Sequence, residues 1–228
     1  MSSKPDITLF FLGASRAIRI AWLLEELQLP FELVASPRAS NGLAPEEFKA
    51  KIPTKMGKSP VIKDGDIVVQ ESSAIVEYIC ETYDTSNHLI PKDPKTRAKV
   101  REWIAAAEGT FMLHALAILY ARWRIPSAAK EHLPEMESSL SVNVHNDLNW
   151  LESELSSPSP SSSGGRTWLV GDDVTAADIM MGFNTEFIFT RKLGVEGGEE
   201  WPNVQKWLER VKGREAYKKS VERTGYSL

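Results

Sequence analysis

The chain has 228 residues, with 27 Lys and Arg against 31 Asp and Glu, a formal charge of −4 at neutral pH. The deficit is even, −2 up to Tyr83 and −2 beyond it, so no basic surface of the kind that binds nucleic acid is expected. Apolar residues make up 42% and charged residues 25%, which suits one large or two small globular domains. Cys80 is the single cysteine, excluding an internal disulfide, a Cys-x-x-Cys redox pair and a thiolate metal cluster. A reducing, cytoplasmic setting follows. The first residues lack a signal-type apolar run, and the apolar stretches read as too short for a bilayer span, so no membrane partner is expected.

In chain order, Ile7–Phe11 reads as a buried strand. Ile20, Leu23, Leu24 and Leu27 then mark one face of a helix that Pro30 terminates. Phe31–Ala35 is a second strand and Ala44–Lys51 a short helix. Val61–Lys63 and Ile67–Val69 form a hairpin about Asp64-Gly65, and Ser73–Tyr83 is helical. Strand, helix, strand implies a parallel pair, and the hairpin adds antiparallel strands to give a mixed sheet covered by helices. Residues 84–94 (DTSNHLIPKDP) read as a linker. Beyond it the long patterns are helical: Lys95–Ala121, Leu133–Leu155, Thr175–Phe189 and Val204–Val211. Residues 156–166 (SSPSPSSSGGR) read as a mobile low-complexity loop. The fold class is α+β, with domains at 1–83 and 95–228.

Three motifs in the first domain carry chemistry. Ser15 opens the first long helix. It either caps that helix or offers its hydroxyl, beside the dipole and free N–H groups, to a bound thiolate. Pro60 enters the third strand, where an X-Pro bond is a candidate for cis geometry and Ser59 could pair with an extended peptide ligand. In QESSAIVEYI, Ser72 or Ser73 caps a helix. Alternatively, Ser72 holds a carboxylate at the helix N-terminus while Glu71 meets an ammonium, which together fit an α-amino acid head group.

These motifs, in this order, resemble the cytosolic glutathione transferase family along essentially the whole chain. The run SRAIRIAWLLEEL, with WLLEEL at Trp22–Leu27, is similar to a serine-type group found in fungi and bacteria. The resemblance implies a thioredoxin-like first domain and an all-α second domain. It implies that Ser15 activates the glutathione sulfur, that Pro60 is cis with Ser59 pairing through its backbone, and that Glu71 and Ser72 hold the γ-glutamyl end. Glutathione would be a co-substrate, with no other cofactor and no metal. The product chemistry would be conjugation to a small apolar electrophile, in detoxification. Reduction of a hydroperoxide on the same site, or non-catalytic binding of glutathione or hydrophobic ligands, are the alternatives. A homodimer is expected on the same ground.

Two assignments depart from a clean match. For the glycine carboxylate, Arg38 and Lys55 are near, and Lys58 is chosen because it adjoins Ser59. Residues 49–63 hold five lysines and no acid, either a solvated face or a field for an anion. For the electrophile pocket, Phe11 and Leu12 are named with Phe111, Met112, Ala115, Leu119 and Trp123, although such a stripe is also what a plain helical core presents. His114 reads as a hydrogen-bonded helix histidine, with projection into that pocket as the alternative. Cys80 reads as a small core residue. Thr175 and Asp178 form a capping box, with Val174 and Ile179 as its hydrophobic staple.

Overall fold

The computed structural model describes residues 5–159 and 162–228. They fall into two units, one built from residues up to Pro94 together with Lys212–Leu228, the other from Lys95–Val211. In the first unit, strands β1 (Ile7–Leu12), β2 (Phe31–Ser36), β3 (Val61–Asp64) and β4 (Ile67–Gln70) form one sheet in the order β2-β1-β3-β4. β1 and β2 are parallel, with Ile7 opposite Phe31, and the β3–β4 hairpin is antiparallel to β1. Side chains alternate along β1. Phe10 and Leu12 pack with Phe48 and Ile52 from and beside α2 (Glu46–Lys49). Ile7, Leu9 and Phe11 therefore face the opposite layer, where α1 (Ala17–Glu26) and α3 (Ser72–Tyr83) pack against each other and the sheet.

Asp64 ties the hairpin to α3. Its carboxylate accepts Tyr78 O–H at 2.9 Å and Tyr83 O–H at 2.5 Å. The hairpin is thus tied to the middle of α3 and to its last residue.

Residues 212–228 belong with the first unit, whereas the sequence reading assigned them to the helical domain. Helix α9 (Glu215–Thr224) lies along α1. Trp22 and Tyr217 meet edge to face at 5.4 Å. Arg214 bonds to Glu26, Arg223 bonds to Glu25 at 2.9 Å, and Arg223 also lies 3.6 Å over the Phe31 ring. Only Tyr217 and Ser220 of α9 are buried, so the helix carries no apolar stripe from which it could be read.

In the second unit, α4 (Pro94–Ala106) continues through a π-helical segment (Ala107–Met112) into α5 (Leu113–Arg124). Asn184 donates to the Ala107 carbonyl at 2.6 Å, satisfying a group at the π segment. Because the three pieces are continuous, the 31-residue span is long and apolar enough by length and composition to cross a membrane, contrary to the sequence expectation. It serves as a core helix here: Trp103, Ile104, Phe111, Ala115 and Ile118 are buried. A 3-10 segment (Ser127–His132) leads into α6 (Leu133–Ser156), followed by α7 (Ala176–Thr190) and α8 (Pro202–Gly213). Within the stretch read as a mobile loop, β5 (Pro158–Ser159) and β6 (Ser162–Gly165) pair as a hairpin, while residues 160 and 161 lie outside the described residues. The capping box at Thr175 is formed, with Val174 and Ile179 fully buried around it.

Candidate active site

The site is built where β1 ends. The chain leaves Leu12, passes Ala14 with φ at +50°, and places Ser15 just before α1. Arg38, following β2, holds this turn: its Nε donates to Gly13 O at 2.9 Å and its Nη2 to Ala14 O at 3.0 Å, while Nη1 reaches Gly42 O at 3.0 Å. Arg38 therefore braces two loops through three carbonyls. Ser15 is buried, donates its hydroxyl to Leu12 O at 2.7 Å and accepts the Ala17 N–H at 3.2 Å. Both readings made from sequence bear on this residue: it satisfies a helix N–H, and it stands at a helix N-terminus.

The Ser59–Pro60 bond is cis. Pro60 has no N–H to give β1. The Ser59 hydroxyl supplies the missing connection, donating to Phe10 O at 2.8 Å and accepting Leu12 N–H at 3.0 Å. The Ser59 side chain is thus spent on the strand, and its main chain lies beyond the β1–β3 ladder, which starts at Val61.

Glu71 is exposed and adopts φ 73°, ψ 118°, a conformation that costs a non-glycine residue about 1–3 kcal/mol and concentrates at functional sites. Ser72 follows as the first residue of α3 and is 3% exposed. Its Oγ accepts Nη1 of Arg19, a fully buried arginine on α1, at 2.8 Å. Arg19 was missed from sequence. The signal was a lone cation inside the apolar run Ala17–Ala21. Of the five non-glycine residues with positive φ among the described residues, Ala14 and Glu71 each immediately precede one of the two proposed contact serines.

Lys58 is exposed beside Ser59. A cleft of about 360 Å³ opens at the carboxyl ends of β1 and β2, walled by Phe11, Ala14, Pro37 and Arg38, with Thr224 and Gly225 from the end of α9. Open α/β sheets bind ligands at such strand ends.

The second-unit stripe named for the electrophile pocket is not one surface. Phe111, Met112 and Ala115 are buried in the unit's own core. Phe111 lies 6.3 Å from Trp103 and 6.0 Å from Trp150, and those two indoles stack at 4.4 Å. Leu119 is half-buried, and Trp123 is 59% exposed, beside Tyr120. The helical repeat that aims 111 and 115 inward turns 119 and 123 away. Leu12 is likewise core, under α2. His114 is engaged by Asp147, Nδ1 to Oδ2 at 2.7 Å, as a hydrogen-bonded helix histidine. Cys80 is buried, and burial pushes its thiol well above the ordinary range, in keeping with a small core residue.

A four-stranded mixed sheet with a cis-proline at the head of its third strand, an acid–serine pair opening the following helix and a helical second unit define a thioredoxin-like fold followed by a helical domain. Residues 9–87 match the glutathione S-transferase N-terminal domain family and residues 112–215 the C-terminal domain family. Glutathione S-transferase 1 of Saccharomyces cerevisiae is 28% identical over 97% of this chain and 96% of its own. The glutathione S-transferase-like protein LUC7 of a Fusarium species is 30% identical over 72% of this chain and 69% of its own. A crystal structure of a glutathione S-transferase from Actinobacillus pleuropneumoniae superposes with a TM-score of 0.78 at 30% identity, covering 97% of this chain and 94% of that one. The chain belongs to the glutathione S-transferase family. It is a glutathione transferase, with glutathione as its co-substrate.

Proposed function

We propose that the enzyme stabilises the glutathione thiolate with the Ser15 hydroxyl and adds it to small apolar electrophiles. The observation that carries this reading is the pair at α3: a strained, exposed Glu71 and a buried Ser72 at a helix N-terminus, suited to the ammonium and carboxylate of a γ-glutamyl group. The Ser59 main chain, free of the β1–β3 ladder beside the cis bond, takes the cysteinyl segment in a strand-like way. Lys58 meets the glycine carboxylate. Ser15 has one proton, now on Leu12 O, so thiolate binding rotates that proton from the carbonyl to the sulfur. The gain comes from positioning and from a charge-assisted hydrogen bond, with no covalent protein intermediate. The electrophile enters the first unit at the cleft walled by Phe11 and Pro37.

The test is conjugation to a chlorodinitrobenzene across pH. Ser15→Ala is expected to lower kcat/KM roughly a hundredfold. Its rate profile should move toward the free thiol's pKa of about 8.5. An unchanged rate and profile would remove Ser15 from the thiolate role. In the same assay, Lys58→Ala raises KM for glutathione while leaving kcat in place.

We further propose a homodimer in the cytoplasm. β4 is a sheet edge with Ile67 50% and Val68 40% exposed, an apolar edge of the kind that a second copy covers. Sedimentation equilibrium should return twice the chain mass, and a monomer at micromolar concentration would refute it.

A further inference from the structure

Arg19 is 1% exposed, and taking a guanidinium out of water costs several kcal/mol unless it is well partnered. One of its partners, at 2.8 Å from Nη1, is Ser72 Oγ, itself 3% exposed. A serine hydroxyl has one proton and two lone pairs. Arg19 can only donate, so it occupies a lone pair and leaves the Ser72 proton to be given away from α1. Ser72 is also the first residue of α3, where backbone N–H groups and the helix dipole already favour an anion.

We infer that Arg19 is a positioning residue for the glutathione γ-glutamyl α-carboxylate. It fixes the Ser72 rotamer with its O–H directed at the ligand and places a positive charge behind the α3 N-terminus. The inference rests on the assignment of Glu71 and Ser72 to the γ-glutamyl end. It adds a mechanical consequence. Arg19 lies four residues beyond Ser15 on the segment that opens α1, so the sulfur end and the glutamyl end of the site are joined by one buried hydrogen bond between two helices.

A purely structural arginine would loosen the whole site when removed, and this one should loosen a single contact. The experiment is calorimetric titration of the full-length protein with two peptides: glutathione, and the 4-aminobutyryl-cysteinyl-glycine analogue that lacks only the α-carboxylate. The wild type should bind the analogue about thirtyfold more weakly. Arg19→Met should bind glutathione about tenfold more weakly than wild type does, and the analogue within twofold of wild type. Ser72→Ala and the Arg19→Met/Ser72→Ala double variant should match each other, since Arg19 acts through Ser72. Where Arg19→Met does not fold, Arg19→Lys decides in the same way: it keeps the charge without the fork, and should lose about threefold on glutathione alone. Equal losses on both peptides in the decisive variant would overturn the positioning role. A wild type that fails to distinguish the two peptides would instead overturn the Glu71–Ser72 assignment beneath it.

Discussion

Helices α1 and α7 make an instructive pair, one in each unit. Both are almost wholly buried, and each carries a fully buried ionisable residue at its N-terminal end, Arg19 in α1 and Asp178 in α7. Asp178 accepts the Thr175 N–H at 2.9 Å, the Thr175 hydroxyl at 3.1 Å, the Leu169 N–H at 3.0 Å and the Trp207 indole N–H at 2.8 Å. All four donors come from the helical unit itself. They knit the cap of α7 to the preceding loop and to α8. Burial nevertheless holds the Asp178 carboxyl above the usual carboxylate range. Arg19 bonds to the residue that follows the strained Glu71, and this partner is a hydroxyl that still has a proton to give. Burial alone does not separate a structural ion from a functional one. What separates them is whether the partner is left with hydrogen-bonding capacity to spend on a ligand.

The largest effect should come from breaking the structural member. Asp178→Ala leaves four buried donors without their acceptor, each worth about 1–3 kcal/mol when orphaned, though not additively. A loss of about 4 kcal/mol or more is expected in the urea unfolding free energy. Discrimination between glutathione and its carboxylate-free analogue should persist in whatever fraction remains folded. Loss of that discrimination at full stability would collapse the distinction between the two ions.

A smaller effect sharpens it from the side of the first unit. Burial, then the hydrogen bonds to Asp64, raise the Tyr83 and Tyr78 hydroxyls above the ordinary tyrosine value of about 10. The unfolded phenols lose their protons first. The contribution of this clamp is therefore whole below about pH 10 and is lost as pH rises from there through the folded values. Tyr83→Phe should cost about 1–2 kcal/mol at pH 8 and flatten the alkaline fall in stability. A variant with an unchanged alkaline slope in denaturant titrations would show that the clamp does not hold the C-terminal half of α3 to the hairpin.

Much of this was legible in the sequence because it is local. The strands at Ile7, Phe31, Val61 and Ile67 announce themselves by apolar runs and a Asp64-Gly65 turn, and the capping box at Thr175–Asp178 by spacing alone. The Glu71–Ser72 pair was legible as an acid beside a capping hydroxyl. What was not legible depends on long-range partners. Arg19 is paired with a residue 53 positions away, and α9 is docked by arginines 188 and 198 positions from their glutamates. The π segment needed Asn184, 77 residues on, to receive it. The stripe from Phe111 to Trp123 misled because a core face and a pocket face share one composition, and only the position of Trp103 and Trp150 tells them apart.

The return of α9 to the first unit has a consequence for biosynthesis. The ribosome releases the chain from its N-terminus, so the four strands and α1 emerge long before the residues that finish their surface. Until Arg214, Tyr217 and Arg223 are made, the edge of Trp22, the ring of Phe31 and the carboxylates of Glu25 and Glu26 have no cover from α9. The first-born part of the enzyme is completed by a helix made only after the whole of Lys95–Val211, so a second unit is synthesised before the earlier fold is closed.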